Sequence, residues 1–94
     1  MTNLKNLEKI FRGLANRRRL HVIQFLLRKK EASVSDIAEE IRLSFKSTSK
    51  HLRVLRQLDI LDNRQEQLRV FYRVSSSLFP LIRDVIKYIP YSRE

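Results

Sequence analysis

A mainly α chain carrying one β-hairpin (α+β) is predicted from three observations. Four successive segments space their apolar residues as helices do, the period switches to two between Ile60 and Val74, and a last helical stripe ends before Pro90. Ninety-four residues suffice for a single domain over 1–94 with a small core, near the size where oligomerisation adds useful burial.

The first helix is expected over residues 3–15, with Leu4, Leu7, Phe11 and Leu14 on one side and Lys5, Glu8, Lys9 and Arg12 on the other. Gly13 and Asn16 mark its end, and Asn16 is placed to cap the next helix. The second helix, about 17–30, is apolar over most of its circumference (Leu20, Val22, Ile23, Phe25, Leu26, Leu27) and belongs at the centre of the domain. Arg17, Arg18 and Arg19 crowd its first turn, the unfavourable end for cations in the helix dipole. Arg19 is therefore expected to bond backbone carbonyls or a carboxylate, and Arg17 and Arg18 to meet phosphates. The third helix opens on Ser33-Val34-Ser35-Asp36, a capping box with Ser33 as N-cap, and carries Ile37, Ala38 and Ile41 inward.

A short link through Arg42, where a turn glycine is usual, leads to Ser44 and a helix over Leu43–Gln57. At 100° per residue Phe45, Thr48, Leu52, Leu55 and Leu58 gather on its inner side. Its outer side carries Lys46, Ser49, Lys50, Arg53 and Gln57, with Ser47 beside them and no acidic residue between Leu43 and Leu58. Long donors and small hydroxyls on one exposed face suit phosphates and base edges. His51 falls at the edge of the buried face, where packing and hydrogen bonding are its expected role, and His21 is expected at the surface.

Ile60-Leu61 opens a strand, and Leu68, Val70, Tyr72 and Val74 alternate with Arg69, Phe71 and Arg73 in a second. Arg64-Gln65-Glu66-Gln67 has no Gly or Asn for a tight hairpin turn, so a longer mobile loop is expected between them. Arg64 and Arg69 would reach phosphates from this hairpin. The last helix is expected over 77–89, capped by Ser77 with Pro80 in its first turn. Leu78, Phe79, Leu81, Ile82, Val85, Ile86, Tyr88 and Ile89 span about half its circumference. That breadth, with Leu4, Leu7 and Phe11 of the first helix, predicts two dimerisation helices meeting about a twofold axis; the alternative is that both stripes close the protomer's own core.

Net charge is +10, so a polyanionic partner is expected. No apolar run approaches the roughly 18 residues of a membrane span, and the N-terminus lacks a signal peptide's apolar block, so the expected location is the cytoplasm, at the nucleoid. Without cysteine there are no disulfides or thiolate metal sites, and a single glycine excludes phosphate-cradling glycine loops. No nucleophile–base or carboxylate pair stands out, so an enzyme is not expected, nor is a cofactor.

Two short helices joined by a tight link, then a hairpin, make a winged helix-turn-helix. The chain resembles the ArsR/SmtB type of winged-helix repressor over about residues 5–89. The likeness is carried by Leu14-Ala15-Asn16 with Arg19-Leu20, by Ser47-Thr48-Ser49-Lys50-His51-Leu52-Arg53-Val54-Leu55, and by Arg73 after Phe71-Tyr72. The resemblance implies a homodimer that binds a palindromic double-stranded DNA operator and represses transcription, often with release by a metal ion. The family's metal sites are not expected here: the stretch Glu31–Asp36 has no thiol, and the last helix offers only Asp84, with Lys87 nearby. Two rival readings fit the same residues, a protein-docking module whose charge serves solubility and a non-specific chromatin-like DNA binder. The sequence names no effector.

Overall fold

The computed structural model describes residues 3–91, so the outermost ends of the domain expected over 1–94 lie outside the described residues. The order is α1 (Leu4–Leu14), α2 (Arg17–Lys29), β1 (Ala32–Ser33), α3 (Val34–Ile41), α4 (Phe45–Gln57), β2 (Leu61–Glu66), β3 (Arg69–Val74) and α5 (Pro80–Tyr88). Side-chain caps start four of these helices. Asn3, Asn16, Ser33 and Ser44 each accept from the amide three residues on, at 2.9, 3.1, 3.2 and 3.1 Å.

α2 runs through the middle of the core. Val22, Ile23 and Leu26 are fully enclosed by Ile37 and Ile41 of α3, Leu52 and Leu55 of α4, Ile60 and Leu61, and Ile82 and Ile86 of α5. Leu20 lies at the rim of this cluster and is exposed. α3 ends in a left-handed residue, Arg42 (φ 56°, ψ 51°), and the Leu43 amide returns to the Ala38 carbonyl at 3.1 Å. Arginine thus takes the strained position a glycine would fill freely. α4 ends in the same manner: Asp59 (φ 59°) is left-handed, and the Ile60 amide donates to the Leu55 carbonyl at 3.0 Å. These two turns set the angle at which α4 leaves α3 and hands over to β2.

The sheet has three strands in the order β1-β3-β2, all antiparallel, with Ala32 opposite Tyr72 and Leu61 opposite Val74. β1 is an addition to the expected hairpin; two residues are too few to show a period in sequence. The expected long loop at Arg64–Gln67 is corrected too. β2 continues to Glu66, paired with Arg69, and the chain reverses through Gln67 (φ 56°) and Leu68 alone. Leu68 consequently sits at the hairpin tip, 96% exposed, and is not part of the inward row of Val70, Tyr72 and Val74 that packs on the core.

The last helix begins at Pro80 rather than Ser77. Phe79 precedes it without a side-chain cap, and the Ser77 hydroxyl instead donates to the Asp59 carbonyl at 3.2 Å. Leu78, Ile82 and Ile86 are buried within the protomer. Half of the apolar α5 stripe therefore closes the protomer's own core, and its other half, Leu81, Val85 and Tyr88, faces out with Ile89.

Candidate nucleic-acid interface

α4 is held by its inner side. Leu52, Leu55 and Thr48 are fully enclosed, the last at the expense of a buried hydroxyl that no protein group meets among the described residues. With that side fixed, Lys46, Lys50, Arg53 and Gln57 are exposed along the outer side, and Ser47 and Ser49 are half-exposed. The face is a continuous cationic stripe with no carboxylate on the helix. Phe45, expected to turn inward, is instead 59% exposed and shares a shallow depression with Lys46, Ser49, Lys50 and Arg53.

Two arginines of the first turn of α2 lock α4 in place. The Arg18 guanidinium donates to the Ile41 and Arg42 carbonyls, satisfying the end of α3 at the turn before α4. Arg19 donates from Nη1 to the Gly13 carbonyl at 3.2 Å and from Nε to Nδ1 of His51 at 3.2 Å. The carbonyl partner is the one anticipated; the imidazole is not. Arg17 is exposed at the mouth of a cleft between α2 and α5.

An Nδ1 that accepts from a guanidinium must be unprotonated. Burial, and then the positive charges of Arg19, Arg18 and Lys50, hold the His51 pKa below its ordinary value of 6.5. The unfolded chain therefore takes up a proton below about pH 6.5 that the folded chain refuses, and stability falls as pH drops from there to the folded pKa. Urea midpoints between pH 7.5 and 5 are expected to fall more steeply for the wild type than for His51→Asn, whose amide oxygen accepts without titrating. Equal slopes would contradict this reading of the Arg19–His51 bond.

In the wing, Arg64 and Glu31 form a two-pronged ion pair, Nε to Oε2 and Nη2 to Oε1, both at 2.8 Å. The pair holds the Glu31 carboxyl below the usual carboxylate range and raises Arg64 in return. The guanidinium carbons of Arg64 and Arg69 also lie over the Phe71 ring, 4.6 and 5.1 Å from its centre. The wing thus presents an ordered basic surface, with Arg69 exposed and Arg64 engaged by a carboxylate from before β1. That pairing spans 33 residues and has no local signal in the sequence.

His21 is not a surface residue. Its Nε2 lies 3.5 Å from a Glu40 carboxylate oxygen, with both side chains only 12% exposed, and Tyr91 meets its ring edge-on. Among the described residues no group of three or more His, Cys, Asp or Glu is placed to hold a metal ion, and no helix is long and apolar enough to cross a membrane.

Of the residues expected at an apolar interface, Leu4, Phe11, Val85 and Ile89 are exposed, Leu7 and Phe79 are half-buried, and Leu78, Ile82 and Ile86 are not available. Leu81 and Tyr88 join the exposed set. Helical spacing could have separated them, since Leu81, Val85 and Tyr88 lie on one side and Leu78, Ile82 and Ile86 on another.

Comparison with known proteins identifies this arrangement. Residues 16–63, from the α2 cap into β2, match the family model for bacterial regulatory proteins of the arsR family. The transcriptional activator HlyU of Vibrio cholerae is 34% identical over 82 residues, covering 80% of this chain and 75% of HlyU. Its solved structure superposes with a TM-score of 0.76 at 30% identity, over 88% of this chain and 86% of that one. The cadmium resistance regulator CadC of Listeria innocua is 32% identical over 66 residues, covering 70% of this chain but only 56% of that longer protein. A homodimeric winged helix-turn-helix DNA-binding domain from Mycobacterium bovis, solved in solution, superposes with a TM-score of 0.77 at 28% identity, over 87% and 79% of the two chains. The chain belongs to the ArsR family of bacterial regulatory proteins, transcriptional regulators that carry a winged helix-turn-helix for DNA.

Proposed function

We propose that two copies of this chain form a homodimer that binds a palindromic operator and represses transcription by occluding it. The observation that carries the reading is α4 itself, a helix anchored by Leu52 and Leu55 whose solvent side is cationic and free of carboxylates. In the dimer the two α4 helices would enter successive major grooves about 34 Å apart. Protomer extents of 36 × 29 × 21 Å suit that separation. Lys46, Lys50 and Arg53 would donate to guanine acceptors or phosphates, Ser47 and Ser49 permit close approach, and Gln57 would pair with adenine where it reaches. Arg17, Arg64 and Arg69 would grip the flanking phosphates, with Arg64 exchanging Glu31 for a phosphate as it does so, while Arg18 stays on the Ile41 and Arg42 carbonyls that hold the turn before α4.

The twofold contact would be made by Leu4, Leu7 and Phe11 of α1 with Phe79, Leu81, Val85, Tyr88 and Ile89 at α5. The homodimeric state of the Mycobacterium bovis domain supports a dimer; the choice of residues rests on their exposure. HlyU is named a transcriptional activator, which favours a second reading: the same bound dimer raises transcription where its site leaves the promoter free.

Lys50→Ala tests the assignment of α4. On a duplex selected from genomic fragments it is expected to weaken binding by about 1–3 kcal/mol, roughly 5- to 150-fold, with little change on a scrambled duplex. Gel-shift titrations on both duplexes read this directly. An equal loss on both would make Lys50 a phosphate contact, and the absence of duplex binding by the wild type would overturn the regulator reading as a whole.

A further inference from the structure

The outward position of Phe45 has no structural role that the fold explains. It is the first residue of α4, 59% exposed, beside Lys46, Ser49, Lys50 and Arg53 around a depression of about 460 Å³. Ser44 fixes that end of the helix by accepting from the Ser47 amide at 3.1 Å, so the ring is held on an ordered turn rather than a loop. A second copy of this chain is a poor occupant for the patch, because a twofold contact there would bring two sets of Lys46, Lys50 and Arg53 together. The surrounding charge selects a polyanion.

On duplex DNA the N-terminal residues of a recognition helix are the ones that meet base edges. Phenylalanine has no donor or acceptor to offer them. The one apolar group displayed in the major groove is the C5-methyl of thymine, and an aromatic ring is among the side chains that contact it.

We propose that Phe45 is a specificity-determining residue of α4 that selects a thymine in each half-site by covering its methyl group, while Lys46 and Lys50 read neighbouring acceptors. The proposal rests on the DNA-regulator reading above. It adds a base preference that the cationic stripe cannot supply, since lysine and arginine favour guanine and are indifferent to a methyl group.

Replacing each thymine of the selected duplex in turn by deoxyuridine removes one methyl group and leaves every hydrogen bond in place. Binding by the full chain, read by fluorescence anisotropy, is expected to weaken about fourfold at one symmetric position in each half-site, the worth of burying a methyl group. Phe45→Ala should bind the thymine duplex about as weakly as the wild type binds the uracil one, and should no longer distinguish the two. Phe45→Leu, which keeps an apolar contact, should retain part of the discrimination, and Lys50→Ala should retain all of it. Because Phe45 faces solvent, its variants should unfold at the wild-type urea concentration.

A wild type insensitive to every thymine-to-uracil change overturns the proposal, as does a Phe45→Ala protein that still senses the methyl group. Weaker binding by Phe45→Ala without any methyl effect would make the ring a wedge between bases and would overturn it equally. Failure of the wild type to bind any duplex is a different outcome, because it removes the regulator reading itself along with this one.

Discussion

Val85→Glu is expected to be a folded monomer that has lost nearly all operator binding. Val85 is 55% exposed on α5, between Leu81 and Tyr88 on the same side of the helix, and none of the three contributes to the core of the protomer. Leu4 and Phe11 form a second exposed row on α1, the counterpart of the first in the proposed dimer. Isolated exposed apolar residues are ordinary, whereas rows on two helices form the kind of patch that another surface covers. A glutamate at the centre of a twofold contact would be buried opposite its own copy, placing two like charges out of water. Because the side chain points away from the core, helix content by circular dichroism should be unchanged. Light scattering at tens of micromolar should report one chain instead of two. Losing the second half-site removes the advantage of tethering, so operator affinity should fall by about 10²- to 10⁴-fold. A Val85→Glu protein that remains dimeric would move the interface elsewhere.

Leu52→Ala should have the largest effect on stability. Leu52 is fully enclosed on the inner side of α4, within the cluster formed by α2, α3 and the start of β2. Truncating such a side chain removes its transfer energy and leaves a cavity, at a cost of about 2–5 kcal/mol. A domain of this size has about twice that in reserve, on the order of 0.05–0.15 kcal/mol per residue. The urea midpoint should drop with the slope of the transition unchanged. A loss below about 1 kcal/mol would mean that α4 is anchored by something other than its leucines.

What the sequence disclosed was mostly local or periodic. Asn16, Ser33 and Ser44 announce three helix starts because a capping side chain acts on an amide only three residues away. Leu52 and Leu55 identify the inner side of α4, and so its outer side, because burial imposes a period. The misreadings arise where neither rule operates. Arg64 and Glu31 meet through the pairing of β1 with β3, and His21 and Glu40 meet across two packed helices. The turn at Gln67-Leu68 is tight despite lacking glycine, because the strand pairing on either side overrides the preference of the turn residues. Phe45 lies at the margin of the apolar arc, where a difference of one helical step decides between core and solvent.

The central claim is that the outer side of α4 engages the phosphates and bases of duplex DNA. It is tested most directly by wild-type affinity for the selected and scrambled duplexes across a salt series. Six phosphate contacts or more predict a log–log slope of about −5 or steeper on the selected duplex, with a preference for it that persists as salt rises. A flat salt dependence, or no duplex binding at low salt, would contradict the account and leave the basic face to another partner.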